Sequence, residues 1–314
     1  MVLVTGANGF IGSALTERLQ LDKRKTLAVS RSFNIDGNNE KYLKKIKGPD
    51  LKKDTDYSAL LSNIEVLIHV AARVHVIKDR SVDSLSQFRL VNVEGTLNLA
   101  EQAKKAGVKR FIYISSIKVN GETTDGREPF TEEDIPNPAD YYAISKAEAE
   151  SGLKKIAENS AMETVIIRPS VVYGPNVKGN IERLSKLVAL GFPLPFASIK
   201  NKRSMIAVDN LVDLIISCID HVEARNQTFL ASDGVDLSLS ELITIMARVM
   251  NRNVRLFNVD PLILHRLLQV ANKQSLSQRL LGNLQVSNKK SCRLLKWKPI
   301  VSVEEGFSKC FSSG

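Results

Sequence analysis

Short apolar runs at 1–5, 26–30, 66–70, 110–114 and 164–168 alternate with longer stretches at 11–19, 85–106 and 141–158, where apolar side chains recur every third or fourth position. The runs have the length of buried strands, and the longer stretches have the period of helices packed on one face. Strand, helix, strand order of this kind builds a parallel sheet covered on both faces, so the pattern predicts an α/β fold with a doubly wound sheet. After Arg168 the rhythm breaks. Pro169, Gly174, Pro175, Gly179, Gly191, Pro193 and Pro195 punctuate the chain densely, which marks loops and a change of architecture. The run 203–208, followed by helical periodicity over 210–220, reads as a return to the sheet. The expected organisation is a main domain over 1–168, rejoined by 203–235, and a smaller C-terminal lobe made of 169–202 and 236–314. No internal repeat is visible.

With 314 residues, 43% of them hydrophobic and 25% charged, the chain has ordinary globular proportions and the length of about two domains at ~150 residues each. Its longest apolar stretches, 66–72 and 214–219, fall far short of the ~20 residues a membrane helix needs, so no spanning segment is expected. It opens on the apolar run 1–4 with no basic leader, which points to a cytoplasmic protein. Cys218, Cys292 and Cys310 form no C-x-x-C pair and the histidines lack metal-ligand spacing, so neither a disulfide framework nor a metal site is expected. Lys and Arg exceed Asp and Glu by 44 to 34, and the net charge of +10 raises the question of an anionic partner. The basic pairs are scattered along helical stretches, where solvated faces explain most of them. Without clustering or an aromatic stacking set no nucleic acid is expected, while an anionic small molecule stays open.

Thr5-Gly6-Ala7-Asn8-Gly9-Phe10-Ile11-Gly12 lies where the first strand run ends and the first helical stretch begins, the context of a dinucleotide-binding turn. Gly6 and Gly9 let the backbone turn tightly and approach a pyrophosphate, and Gly12 lets the helix pack on the strand. The helix N-terminus adds N–H donors and positive dipole. The spacing, G-x-x-G-x-x-G, is one residue wider than the commonest fingerprint.

At this position TGANGFIG resembles the turn of the extended short-chain dehydrogenase/reductases, the NAD-dependent epimerase/dehydratase family that acts on nucleotide sugars. His69-Val70-Ala71-Ala72, Asn92-Val93-Glu94-Gly95-Thr96, Ser115-Ser116 and Tyr142-Ala143-Ile144-Ser145-Lys146 follow in the family's order. Arg168-Pro169 to Tyr173-Gly174-Pro175 and Arg203 to Asp209 also match, and only about 236–283 is weakly matched. The resemblance implies a Rossmann sheet binding NAD or NADP through Gly6, Asn8, Gly9, Phe10, Ile11, Gly12, Asp50, Leu51, Ala71, Ala72, Asn92 and Lys146. It also implies a UDP-sugar partner, a homodimer paired through the helices at 90–106 and 141–158, and a place in polysaccharide synthesis.

Tyr142 and Lys146 stand four apart in a helical run free of Gly and Pro, so both project from one face. A phenol is a poor base at neutral pH, and a neighbouring ammonium is expected to lower its pKa toward the working range. By resemblance Tyr142 is the acid/base, Lys146 holds the nicotinamide ribose, and Ser116, with Ser115 as the other candidate, hydrogen-bonds the reacting sugar oxygen. The family's dehydratases carry Thr-Asp-Glu where this chain reads Ser116-Ile117-Lys118, so the acid pair for water elimination is missing. Redox chemistry at one carbon is left.

Arg203 and Arg279 are expected on the nucleotide pyrophosphate, which a guanidinium fork suits, and Asn180 on substrate. Val171 stands where epimerases place an Asn, and Asn120 where a Tyr is usual. Arg31 follows the second strand where NAD-binding members place an acid, and a cation there favours the 2′-phosphate of NADP. The reading that results is a 4-epimerase of a UDP-hexose or UDP-N-acetylhexosamine working through a 4-keto sugar. The alternatives are an NADPH-dependent reductase of a UDP-4-keto-6-deoxyhexose or hexosamine and, from another class, a non-catalytic dinucleotide sensor. The intact Ser116, Tyr142 and Lys146 argue against the last.

Overall fold

The computed structural model describes residues 1–33, 40–74, 84–158 and 160–311. Along the chain lie β1 (Val2–Thr5), α1 (Phe10–Leu21), β2 (Thr26–Ser30), β3 (Leu43–Lys47), α2 (Ser58–Leu61), β4 (Val66–His69), α3 (Ser84–Arg89), α4 (Thr96–Lys105), β5 (Arg110–Ile114), α5 (Tyr141–Glu158) and β6 (Glu163–Pro169). Then follow β7 (Val171–Tyr173), α6 (Asn180–Ala189), β8 (Arg203–Ala207), α7 (Val208–Asp220), β9 (Thr228–Ala231), β10 (Asp236–Leu237), α8 (Leu239–Val249), α9 (Pro261–Val270), α10 (Gln274–Leu281), α11 (Lys289–Leu294) and α12 (Val303–Phe311).

Seven parallel strands form the main sheet in the order β3-β2-β1-β4-β5-β6-β9. The order reverses between β1 and β4, and a crevice opens at such a switch point beyond the C-terminal strand ends. Strand side chains alternate between two cores. Val2, Val4, Ile112 and Ile114 pack with α1 and α7 on one face, while Leu3, Phe111 and Tyr113 pack with α4 and α5 on the other. This is the expected doubly wound architecture.

Three elements depart from the sequence pattern. The edge strand β3, Leu-Lys-Lys-Ile-Lys, has no continuous apolar run because an edge carries charge where a central strand cannot. The stretch 85–106 is interrupted by a π-helical turn, Leu90–Gly95, between α3 and α4. Gly95 explains its sequence: a Cβ there would lie 2.7 Å from the Leu51 carbonyl carbon, so this turn rests directly on backbone. The run 203–208 does not rejoin the main sheet as expected. β8 pairs instead with β7 and β10 in a separate three-stranded sheet, and the return is made by α7 and β9. The pattern of β8 looks the same because it too is buried.

The glycine turn gives the first test. A Cβ on Gly12 would fall 2.2 Å from the Gly6 carbonyl oxygen, a contact with backbone that no rotamer relieves. Gly12→Ala should therefore pry α1 from β1 at a cost of roughly 1–3 kcal/mol, the range for overpacking, and weaken dinucleotide binding. Denaturant titration beside a nucleotide titration checks both effects.

Candidate active site

The C-terminal ends of β2, β1, β4 and β5 and the first turn of α1 border a cavity of about 940 Å³. In the order of those strands it takes in Arg31, Asp50 and Leu51, then Gly6, Gly9, Phe10 and Ile11, then Ala71 and Ala72, and finally Ser115, Tyr142 and Lys146. Gly6 has φ +66°, and a Cβ on it would lie 2.7 Å from the Ala71 nitrogen. No side chain caps α1 and no acid stands in its first turn, so its free N–H groups and positive dipole end await an anion. A cradle of bare backbone at an uncapped helix start fits a dinucleotide pyrophosphate.

Asn8 and Asn92 do not line this cavity. The Asn8 amide donates to Ser32 Oγ at 2.9 Å and ties the turn to the end of β2. Asn92, buried in the π-helical turn, accepts the Arg73 N–H at 2.7 Å and donates to the Arg73 carbonyl and to Ser145 Oγ at 3.0 and 2.9 Å. These bonds let Asn92 hold the chain after Ala72 against α5. Gly12 also lies off the wall, in the packing role read for it.

Lys146 is 1% exposed, donates from Nζ to the Ile114 carbonyl at 2.6 Å and sits 4.1 Å from the centre of the Tyr113 ring. Burial lowers its pKa to about 7, with the Glu150 carboxylate opposing the fall. Burial also pushes the Tyr142 phenol up to about 12, and the Asp140 carboxylate adds to the rise. The expected lowering of the phenol is therefore not reached in the protein alone. Desolvation works against the lysine charge.

Ser115 lies on the cavity wall, but its hydroxyl donates to Glu150 at 2.5 Å. Ser116 stands off the wall, partly exposed, where its Oγ starts a 3₁₀ turn by accepting the Lys118 N–H at 3.3 Å. Its hydroxyl proton is uncommitted among the described residues, which makes Ser116 the better donor of the pair. Behind the serines Arg168 and Glu150, both side chains 3% exposed, form an ion pair at 2.5 Å, and Arg168 donates to Asn120 Oδ1 at 2.9 Å. Asn120 in turn donates to the Thr131 carbonyl, so the amide that replaces a Tyr completes a buried network. Lys118, at a dehydratase acid position, bridges Glu122 at 2.9 Å and Asp140 at 2.5 Å, and Asp140 caps the start of α5 through the Ala143 N–H. His69 is buried between Thr5 and Thr96 hydroxyls, and burial drops its pKa to about 3. It is a packed residue.

Glu150 and Arg168 escaped the sequence reading as site residues, although the Lys146 to Glu150 spacing places both on one face of α5. Arg31 Nη1 pairs with Asp50 Oδ1 at 3.1 Å, with the Arg31 side chain 75% exposed. The substrate candidates Asn180, Arg203 and Arg279 lie off the cavity wall. Arg203 donates to the Gly282 carbonyl at 3.0 Å, and burial lowers its pKa, with the nearby Arg279 adding to the fall. Asn180 is exposed at the start of α6, following Gly179 at φ +82°.

A switch-point cavity with a glycine cradle and a Tyr-x-x-x-Lys helix at its end defines the class of the extended short-chain dehydrogenase/reductases. The NAD dependent epimerase/dehydratase family matches over residues 2–230, and the chain belongs to that family. It is 44% identical over 310 residues to a UDP-glucose 4-epimerase of Vibrio cholerae, covering 98% of this chain and 93% of the relative. A UDP-glucose 4-epimerase of Mycolicibacterium smegmatis is 30% identical over 98% of this chain and 96% of its own. Among solved structures, MoeE5 in complex with UDP-glucose and NAD superposes with a TM-score of 0.77 at 24% identity, covering 99% of this chain and 97% of its own. That likeness bears on the fold.

Proposed function

We propose that the protein inverts C4 of a UDP-hexose or UDP-N-acetylhexosamine through a 4-keto sugar and keeps its NAD throughout. The observation that carries this is the pair Tyr142 and Lys146 on the wall at the end of a dinucleotide cavity, with Ser116 one residue beyond the wall residue Ser115, in a chain 44% identical to a UDP-glucose 4-epimerase over nearly its whole length. When bound, NAD supplies the acceptor and later the donor of the C4 hydride.

The chain's residues divide the remaining work. Gly6, Gly9, Phe10 and Ile11 bind the cofactor pyrophosphate, Asp50 and Leu51 its adenosine end, Ala71 and Ala72 its middle, and Lys146 the nicotinamide ribose. Tyr142 takes the proton of the 4-hydroxyl during oxidation and returns it during reduction, while Ser116 donates to the same oxygen and holds it in place. Arg203 and Arg279 take the nucleotide pyrophosphate and Asn180 the substrate beside it. Neither Ile117 nor Lys118 offers a carboxylate, which leaves dehydration without its acid and base.

Arg31 alone favours NADP, but its pairing with Asp50 favours NAD, because a 2′-phosphate would meet that carboxylate. Nucleotide released from denatured protein should have the mass of NAD, and Arg31→Ala should retain it. Release of NADP would restore the other preference and, with it, the reductase. No helix among the described residues is long and apolar enough to cross a membrane. The same reading includes a cytoplasmic location, a homodimer through α4 and α5, and service to polysaccharide synthesis.

The test is conversion of UDP-glucose or its N-acetylated counterpart with no nucleotide supplied. Steady turnover is the expected result. Action only on a 4-keto sugar with added NADPH would establish the reductase, and cofactor binding without turnover the sensor.

A further inference from the structure

The outward face of α9 is apolar and uncovered. The helix has no buried residue, and Leu262, Ile263, Leu267 and Val270 are 66%, 53%, 61% and 88% exposed. At about 100° per residue these four share one arc with Arg266 between them, while Leu264 and Leu268 turn inward, Leu264 onto the core of the smaller lobe. Phe257, Leu190 and Phe192, on the segments before α9 and after α6, are exposed as well. Leu194 N–H donates to the Arg255 carbonyl at 2.8 Å and Phe257 N–H to the Leu194 carbonyl at 3.0 Å, which joins the two segments. Apolar residues scattered singly need no explanation, but a contiguous set does.

Charge indicates what covers it. Arg252, Arg255, Arg266 and Lys273 are exposed and, among the described residues, none pairs with a carboxylate. The only acid between 250 and 282 is Asp260, whose side chain caps α9 by accepting the Leu262 N–H at 2.8 Å. A second copy on a two-fold axis through this helix would set the arginine of its stripe against its own mate. An anionic bilayer meets both features, since the apolar side chains enter the acyl boundary while Arg266 snorkels to the phosphates. We infer that the smaller lobe docks peripherally on an anionic phospholipid surface through α9. This holds whether or not the C4 chemistry proposed above does.

The test is co-sedimentation of the full chain with vesicles of phosphatidylcholine alone or with about 30% phosphatidylglycerol, at about 0.05 M and 0.5 M salt. The protein should bind the anionic vesicles at least about tenfold better than the neutral ones at low salt, and the difference should shrink at high salt. Leu267→Glu with Val270→Glu should abolish binding and leave turnover of UDP-glucose unchanged. Arg266→Glu with Lys273→Glu, which spares the apolar face, should abolish it too and guards against misfolding of the first variant. Absence of binding to anionic vesicles would overturn the inference, as would equal binding by either variant. A dimer that Leu267→Glu with Val270→Glu dissolves would assign the face to a second copy and overturn it as well.

Discussion

Tyr142→Phe should lower turnover by roughly 10²–10⁴-fold, the usual contribution of a placed acid/base, while cofactor binding and the fold stay nearly intact. The substitution removes the one oxygen able to take the sugar proton and keeps the ring, which packs edge-on to Phe88 with centroids 6.3 Å apart. Tyr141, one residue earlier and 51% exposed, lies off the cavity wall, so Tyr141→Phe should be mild. Steady-state assays of both variants beside a nucleotide titration separate chemistry from binding. Undiminished turnover in Tyr142→Phe would remove the residue from the reaction.

The largest loss of stability is expected from Glu150→Ala. Its carboxylate is buried between Ser115 and the Arg168 guanidinium, and deletion leaves that cation 3% exposed with Asn120 as its one remaining hydrogen-bond partner among the described residues. Breaking one side of a buried ion pair costs about 3–5 kcal/mol, because the remaining charge stays desolvated without its partner. Urea titration of the variant should show a loss of that size, and Glu150→Ala combined with Arg168→Met should recover part of it. A change under ~1 kcal/mol would mean that Arg168 finds water or another acceptor once Glu150 is gone.

The main sheet was legible because central parallel strands are continuous apolar runs, and α5 lies over 141–158 as its periodicity predicts. The cradle at Gly6 and the pair Tyr142 and Lys146 could be read for a related reason: each places residues of one segment by local geometry alone. The rest depended on packing between segments. β3 was missed because an edge strand can carry three lysines. The run of β8 reads as part of the main sheet, since a buried strand looks alike wherever it pairs. Asn92 is polar and stands in a family motif, yet only the fold reveals that Arg73 and Ser145 take up its amide. The rise of the Tyr142 pKa is not legible in the sequence, because desolvation and the nearby Asp140 carboxylate are properties of the folded surroundings.

Inversion at C4 by removal and return of one hydride is tested most directly with UDP-glucose carrying deuterium at C4, incubated with the purified protein and no added nucleotide, and followed by mass spectrometry and proton NMR. The account predicts UDP-galactose that keeps the deuterium at C4. Loss of the label from C4, or no C4 epimer from either UDP-glucose or its N-acetylated counterpart with a protein that holds NAD, would contradict it.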